Sequence, residues 1–188
     1  MKGIVFNLLE QVVVRHHGDA VWEALLELTG QDGIYTSLGS YPDAQIVALV
    51  GAASDMLSLP PQEVLRWFGR EAMPLLAERY PVFFTPHTTT LPFLRSVNSI
   101  IHPEVRKLYA GAGCPHFHFS DLSDGGLSIG YTSSRRLCDL AHGFVEGAAA
   151  HYGEQADIRH VSCMNRGDDR CDLRVRVTAR EHRVGDAA

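Results

Sequence analysis

The chain has 188 residues, of which 45% are hydrophobic and 21% are charged, so we expect one folded domain and exclude a disordered charged segment. Its formal net charge is −5, with 17 Lys and Arg against 22 Asp and Glu, which excludes a generic basic nucleic-acid binder. The longest apolar stretch, 44–53, is too short to span a bilayer, which takes about 20 residues. No signal peptide is recognisable, so we expect a cytoplasmic protein that contacts no membrane.

The first half of the chain has the hydrophobic pattern of helices. Apolar residues recur at helical spacing in four successive segments, 5–12, 21–28, 46–50 and 64–75. Asp19 is expected to cap the second of these helices and Gly30 to end it. Pro60 and Pro61 are expected to open the fourth.

The pattern changes near residue 113. Before it, a helical stretch from about Leu91 to His102 is expected to end or bend ahead of Pro103, because the residue before a proline disfavours helical geometry. After it, the segments 116–133 and 156–177 each show period-2 alternation around a turn, and 135–152 has a helical pattern. The expected fold class is α+β, with a helical N-terminal part and a C-terminal part that contains helices and an antiparallel sheet.

The segment Tyr131-Thr-Ser133-Ser-Arg135 carries the most distinctive chemistry. On an extended strand, alternate residues face the same way, so two hydroxyls and a guanidinium would be presented together. Such a set suits a ligand with carboxylates or phosphates. A half-exposed strand with a surface arginine has the same spacing, so the pattern alone leaves both interpretations open.

His102 follows an apolar helical run and stands directly before Pro103. An imidazole held at the wall of a hydrophobic pocket can serve as the single axial ligand of a haem. A core histidine bonded to a backbone carbonyl fits the same position. The position alone therefore does not assign a ligand.

Three of the four cysteines and one histidine form a second candidate site, which we call the Cys3His cluster: Cys138, His160, Cys163 and Cys171. Cytosolic cysteines are kept reduced, so a close group of them is better interpreted as metal ligands than as disulfides. Three thiolates and one imidazole are typical of a closed structural zinc site. Buried free cysteines beside a surface histidine are the other interpretation that the spacing allows.

With the opening MKGIVFN, these features resemble the haem–nitric oxide/oxygen binding (H-NOX) domain, a bacterial relative of the haem domain of soluble guanylate cyclase. The resemblance implies haem b with His102 on the iron. It also implies that Tyr131, Ser133 and Arg135 bind the haem propionates, and that Pro115 presses on the porphyrin and distorts it. A subset of the family carries a zinc site that corresponds to the Cys3His cluster.

The resemblance extends from Met1 to about Val177. It implies a single domain over 1–177, in which a distal helical subdomain of about 1–60 packs on a proximal α+β subdomain of about 61–177. The haem would lie between the two. A polar tail is expected over 178–188.

The distal wall of the pocket bears on which gas is bound. Oxygen-binding members of the family carry a distal tyrosine in the helix after the Tyr-x-Ser-x-Arg pattern, and here that position is Leu140, with Phe144 one turn on. The resemblance therefore implies selectivity for nitric oxide, with CO also binding, because NO needs no hydrogen-bond donor. An oxygen sensor remains open if a donor lies elsewhere, for example Asn7 or Trp67.

The implied function is a gas sensor without catalytic activity, in which NO breaks the bond between iron and His102. The signal would pass to a separate partner, which is a sensor histidine kinase or an enzyme that makes or degrades cyclic di-GMP. Two other classes stay open. A haem enzyme would need distal acid–base groups, and a haem-free, zinc-stabilised module would bind a carboxylate ligand through Arg135.

Overall fold

The computed structural model describes residues 1–180, and residues 181–188 of the expected polar tail lie outside this range. The helices are α1 (Gly3–His17), α2 (Asp19–Thr29), α3 (Asp43–Leu57), α4 (Pro61–Arg79), α5 (Pro81–Phe84), α6 (Thr90–Ser96), α7 (His102–Leu108) and α8 (Cys138–His151). A π-helix, Val97–Ile101, joins α6 to α7. The strands are β1 (His116–Asp121), β2 (Leu127–Thr132), β3 (Glu154–Ser162) and β4 (Cys171–Ala179). Within residues 1–180, no helix is long and apolar enough to cross a bilayer.

The four strands form one antiparallel sheet in the order β1-β2-β4-β3. Both predicted hairpins are confirmed, and β2 joins them by pairing with β4. This pairing sets Tyr131 opposite Cys171, so the two candidate sites of the sequence meet on neighbouring strands. The predicted α+β class is confirmed.

Helices α4 and α8 approach each other closely because both carry glycine at the contact. A Cβ atom on Gly143 would lie 2.0 Å from the backbone oxygen of Arg66, and one on Gly69 would lie 2.5 Å from that of Leu140. Gly147 meets α4 in the same way, 2.6 Å from the side chain of Met73. The two helices therefore touch backbone to backbone. This contact fixes the position of α8 along α4 and its rotation about its own axis.

The buried side chains form two clusters. Phe6 and Phe68 are fully buried in the cluster formed largely by α1 to α4, and Leu127 and Val175 are fully buried in the cluster beneath the sheet. Burying a side chain of this size contributes roughly 1.5–3 kcal/mol. Met73, one turn after Phe68 on α4, lies in the second cluster, so α4 belongs to both.

The helical run does not end before Pro103, but changes to a π turn just ahead of it. Helix α7 begins at His102, with Pro103 in its first turn, and the π-helix 97–101 leads into it without a break. The N–H of His102 bonds to the carbonyl of Val97 across the wide π turn, so the run stays hydrogen-bonded up to Pro103, which has no N–H to pair. His102 is thus the first residue of α7 within a continuous helical run.

Two further boundaries differ from expectation. Asp19 is the first residue of α2 and makes no capping hydrogen bond, because Gly18 occupies the N-cap position. Gly30 ends α2 in the left-handed conformation, as predicted. Strand β4 runs through Ala179, two residues past Val177, the expected end of the domain, because it stays paired with β3 to that point.

Candidate functional site

A cavity of about 360 Å³ lies between the helices and the inner face of the sheet, within the size range of small-molecule sites. Its wall is apolar almost throughout, with side chains from α1, α4, α5, α6, α7 and α8 and from β1, β2 and β4. The residues predicted from the sequence to surround a haem all line this cavity: His102, Pro115, Tyr131, Ser133, Arg135, Leu140 and Phe144.

His102 has the properties of a metal ligand. Its ring stacks near Phe117, with centroids 5.8 Å apart. Its Nδ1 atom is buried and has no hydrogen-bond partner among residues 1–180. Burial, and secondarily the charge of Arg106, lowers the pKa of His102 to about 4. The imidazole is therefore neutral at pH 7, which is the form that binds a metal.

The π-helix before His102 is held against β1 by one side chain. The amide oxygen of Asn98 accepts a hydrogen bond from the N–H of Phe117 at 3.2 Å, and its amide nitrogen donates to the carbonyl of the same residue. Short π-helical turns occur frequently at functional sites. Here the turn and its clamp determine where α7, and with it His102, begins.

Tyr131, Ser133 and Arg135 line the cavity, but not because they alternate on one strand, as predicted. Strand β2 ends at Thr132, and the chain then turns. The Tyr131 hydroxyl accepts a hydrogen bond from the N–H of Leu137 at 3.1 Å, and the Ser133 hydroxyl accepts one from the N–H of Arg135 at 3.3 Å. These bonds shape the turn that brings Arg135 to the cavity.

Arg135 also joins distant parts of the chain. Its Nε donates to the Asp43 carboxylate at 2.8 Å, and its Nη1 donates to the carbonyl of Gly113 at 2.5 Å. The N-terminal ammonium of Met1 donates to the other oxygen of Asp43 at 2.5 Å. Burial opposes ionisation of Asp43, but the bonds from Met1 and Arg135 outweigh it and lower its pKa. The link ties the starts of α1 and α3 to the turn after β2.

The two donors considered in the distal half, Asn7 and Trp67, do not line the cavity. The Asn7 amide donates to the carbonyl of Tyr35 at 2.9 Å and accepts from the hydroxyl of Ser37 at 3.0 Å. Trp67 lies against His16. Both side chains are therefore engaged elsewhere in the helical half.

Two tyrosines that the sequence analysis missed do line the cavity. The hydroxyls of Tyr80 and Tyr109 are hydrogen-bonded to each other, and burial, followed by Tyr80, raises the pKa of Tyr109 to about 12. Tyr109 is therefore protonated at neutral pH. Tyr80 stands just before Pro81 in a short connection, and nothing in the local pattern indicates that it faces a cavity.

The second candidate site gathers three sulfur atoms. Cys138, Cys163 and Cys171 are buried, with their sulfur atoms within 4.8 Å of one another. The Asn165 amide lies 3.4 Å from the sulfur of Cys138, and the N–H of Met164 lies 3.2 Å from that of Cys171. Donors aimed at sulfur favour the thiolate form, and such outer-shell bonds are typical of metal–thiolate sites.

His160 stands at one edge of this group. One of its ring nitrogens lies within 4.8 Å of the Cys138 sulfur and of an Asp139 oxygen, but it is not that close to all three sulfurs. Burial, followed by Asp139, raises the pKa of the Cys138 thiol, so a cation would be needed to hold it as thiolate. The donor set of three sulfurs and a nearby imidazole fits Zn²⁺.

An apolar cavity with a neutral, unpartnered imidazole and an arginine at its rim is the kind of pocket that holds a haem. The family model described as Haem-NO-binding matches residues 2–160, and the chain belongs to that family. An H-NOX protein from S. oneidensis, crystallised in the Fe(II)NO state, is 34% identical with a TM-score of 0.89, and the match covers 95% of this chain and 99% of that one.

More distant H-NOX structures share the fold. The unliganded Fe(II) H-NOX protein from K. algicida is 22% identical with a TM-score of 0.85, covering 97% of this chain and 99% of that one. A mutant of the T. tengcongensis H-NOX is 20% identical with a TM-score of 0.83, covering 96% and 99%. The chain is thus a haem-binding gas-sensor domain of the H-NOX type, and gaseous ligands such as NO and CO are those of its family.

Proposed function

We propose that this chain senses nitric oxide, also binds CO, and holds haem b through His102. The observation that carries the proposal is the neutral His102 ring, with a buried and unpartnered nitrogen, in an apolar cavity. The α8 wall of that cavity offers Leu140 and Phe144, which donate no hydrogen bond. The S. oneidensis relative is described with both NO and CO bound.

Haem supplies a ferrous iron that binds diatomic gases. His102, in the first turn of α7, would hold this iron, and Pro115, in the segment before β1, would press on the ring. Tyr131, Ser133 and Arg135 bind the propionates. Arg135 is suited to this because its Nη2 makes no hydrogen bond among the described residues, while its Nε and Nη1 are held in place.

In this proposal the signal would be loss of the bond that His102 would make to the iron, brought about by NO. His102 and Pro115 would then no longer be held against the haem, and the helical half would be free to shift against the sheet half. The hydrogen bonds from Met1 and Arg135 to Asp43 join α1 and α3 to the turn after β2. Such a shift must therefore either break these bonds or move the turn together with the helices. A two-state element biased by the ligand is what a sensor requires.

The test is an absorption spectrum of the anaerobically reduced protein before and after NO, with a second sample exposed to air. We expect one axial protein ligand before NO, loss of that ligand after NO, and no stable binding of oxygen. Retention of both axial ligands after NO would reject the proposed release of His102.

Oxygen sensing is the second candidate, and the Tyr80–Tyr109 pair favours it. When one hydroxyl donates to the other, the accepting hydroxyl keeps its own proton, which can be donated to a ligand. Both side chains line the cavity. A stable oxygen adduct in air that is lost in Tyr80→Phe or Tyr109→Phe would establish this function. Absence of such an adduct in the unaltered protein rejects it.

The Cys3His cluster is proposed to bind one Zn²⁺. The converging sulfurs of Cys138, Cys163 and Cys171, with N–H donors on two of them, support this assignment. The site would clip α8 to the sheet, and oxidation of its thiolates would release the metal. Metal analysis of the purified protein should give about one zinc per chain, and Cys171→Ser should lose it. Equal zinc in both proteins would exclude this site.

The proposed output is a separate partner in the cytoplasm, either a sensor histidine kinase or an enzyme that makes or degrades cyclic di-GMP, and the chain itself is not an enzyme. Kinase autophosphorylation or cyclic di-GMP turnover should differ between NO-loaded and NO-free protein. Turnover of peroxide or an organic substrate would instead indicate an enzyme. A protein that stays colourless after addition of haemin would leave only a zinc-stabilised module.

A further inference from the structure

Helix α8 carries a buried histidine that belongs neither to the cavity wall nor to the Cys3His cluster. The His142 side chain is only 8% exposed. Its Nδ1 lies 3.0 Å from Nε2 of His160, and the two rings stack with centroids 5.2 Å apart and planes inclined by 25°. This histidine therefore fixes the one predicted zinc ligand that is not a cysteine.

The other edge of the His142 ring faces a carboxylate. Its Nε2 is buried, lies 3.5 Å from an oxygen of Glu146, and makes no hydrogen bond to any other atom within residues 1–180. Arg66, on α4, donates from Nε to both oxygens of Glu146 at 3.0 Å, and also from Nη2. Burial opposes ionisation of Glu146, but His142 and Arg66 outweigh it and lower its pKa to about 2. The carboxylate is therefore ionised and can only accept protons.

The ionised Glu146 determines which nitrogen of each histidine carries a proton. Because Glu146 only accepts, the His142 nitrogen that faces it, Nε2, is the one placed to carry a proton, and Nδ1, which faces His160, is the one placed to accept. The Nε2 of His160 must then be the donor in the bond between the two rings. In a neutral imidazole only one nitrogen carries a proton, so the free lone pair of His160 is on Nδ1.

We propose that His142 is the positioning residue of the zinc site, through a relay that runs from Arg66 through Glu146 and His142 to His160. The relay holds the proton of His160 on Nε2 and keeps Nδ1 available for the metal. Histidine ligands generally need a partner on the second ring nitrogen to set their tautomer and orientation. The inference rests on the zinc site proposed above, and adds three residues that are not ligands.

The relay also explains a partly buried ion pair that the haem cavity does not use. Glu146 belongs to α8 and Arg66 to α4, and their side chains are 15% and 38% exposed. Gly143 brings the two helices into backbone contact next to this pair. The zinc site is therefore braced from α4 through α8, although α4 supplies none of its ligands.

The experiment compares zinc affinities in the full chain by competition with a chelator, and records the absorption spectrum after replacement of zinc by Co²⁺. His142→Phe keeps the stacked ring but removes the acceptor, so we expect it to weaken zinc binding about 10- to 100-fold. His142→Asn places an amide oxygen near the position of Nδ1 and should restore most of the affinity. His151→Phe, at the far end of α8, is the matched control and should change nothing.

The cobalt spectrum distinguishes positioning from a general loss of structure. In His142→Phe the thiolate-to-cobalt bands should remain, while the ligand-field bands shift towards those of His160→Ala. If His142→Phe does not fold, Glu146→Gln serves instead, since it removes the obligate acceptor and should also weaken zinc binding. Unchanged affinity and spectrum in the folded variant overturn the relay alone. An unaltered protein that takes up no zinc overturns the zinc site as well.

Discussion

Replacing Gly143 by alanine is expected to force α8 away from α4. The added Cβ would lie 2.0 Å from the backbone oxygen of Arg66, more than 1 Å short of the 3.4 Å at which ordinary contact begins. The obstacle is backbone, so no side-chain rotation relieves the clash, and the helices must separate. Leu140 and Phe144 flank Gly143 on α8 and line the cavity, so the pocket should change with the helix.

The magnitude follows from two opposing effects. Overpacking of a core contact costs typically 1–3 kcal/mol, whereas alanine gains roughly 1 kcal/mol over glycine inside a helix. Because the obstacle is rigid, we expect Gly143→Ala to lose about 1–2 kcal/mol net. In a chain of this length that corresponds to a fall in Tm of about 2–8 °C.

Gly51 provides the matched control. It lies inside α3, and a Cβ placed there would meet no atom within 4 Å. Gly51→Ala should therefore raise stability by roughly 0.5–1 kcal/mol. Urea unfolding of both variants, followed by circular dichroism, measures the difference. The packing argument is refuted if Gly143→Ala is as stable as Gly51→Ala.

Three further predictions concern stability. Tyr131→Phe leaves the partly buried N–H of Leu137 without its acceptor and should cost about 1 kcal/mol in urea unfolding; no loss would mean that another acceptor takes over. Glu146→Gln should destabilise the chain at pH 7. Since the folded pKa is about 2 against an ordinary 4.5, this deficit should shrink as pH falls from 4.5 towards 2, and a constant deficit would contradict the assignment. Chelation of zinc should lower the Tm of the unaltered protein but not of Cys171→Ser, and equal shifts would exclude the site.

Local patterns predicted most of the elements. Alternation around Gly125, which has φ of +80° in the turn, indicated the first hairpin, and helical spacing with Gly30 indicated α2. These signals work because side-chain periodicity and a left-handed turn residue are properties of a short segment. The resemblance to H-NOX domains, based on a few residues around His102 and Arg135, is confirmed by the family match.

The π-helix was not predictable in the same way. Its position depends on the pairing of Asn98 with the backbone of Phe117, which lies 19 residues further along the chain. The proline rule placed a helix end or bend before Pro103, but tertiary contacts supply the wider turn that lets the helix continue. For a similar reason, Ser133 leaves the strand, since the turn after β2 is closed by its own hydroxyl.

The residues that support the site from a distance gave no local signal. Asp43 is 92 residues from Arg135, and Glu146 is 80 residues from Arg66. Each looks like an ordinary charged residue on a helix. Only the packing of the helices shows that these charges are paired, with Arg135 of one pair lining the cavity and Glu146 of the other lying beside His142.

The central claim is that His102 holds the iron and leaves it when NO binds. Electron paramagnetic resonance of the reduced, NO-treated protein tests this directly, because each axial nitrogen adds its own hyperfine splitting. The account predicts splitting from the nitrogen of NO alone, and the same spectrum in His102→Gly treated with NO. A second nitrogen splitting in the unaltered protein, absent from His102→Gly, would show that His102 stays bound and would contradict the account.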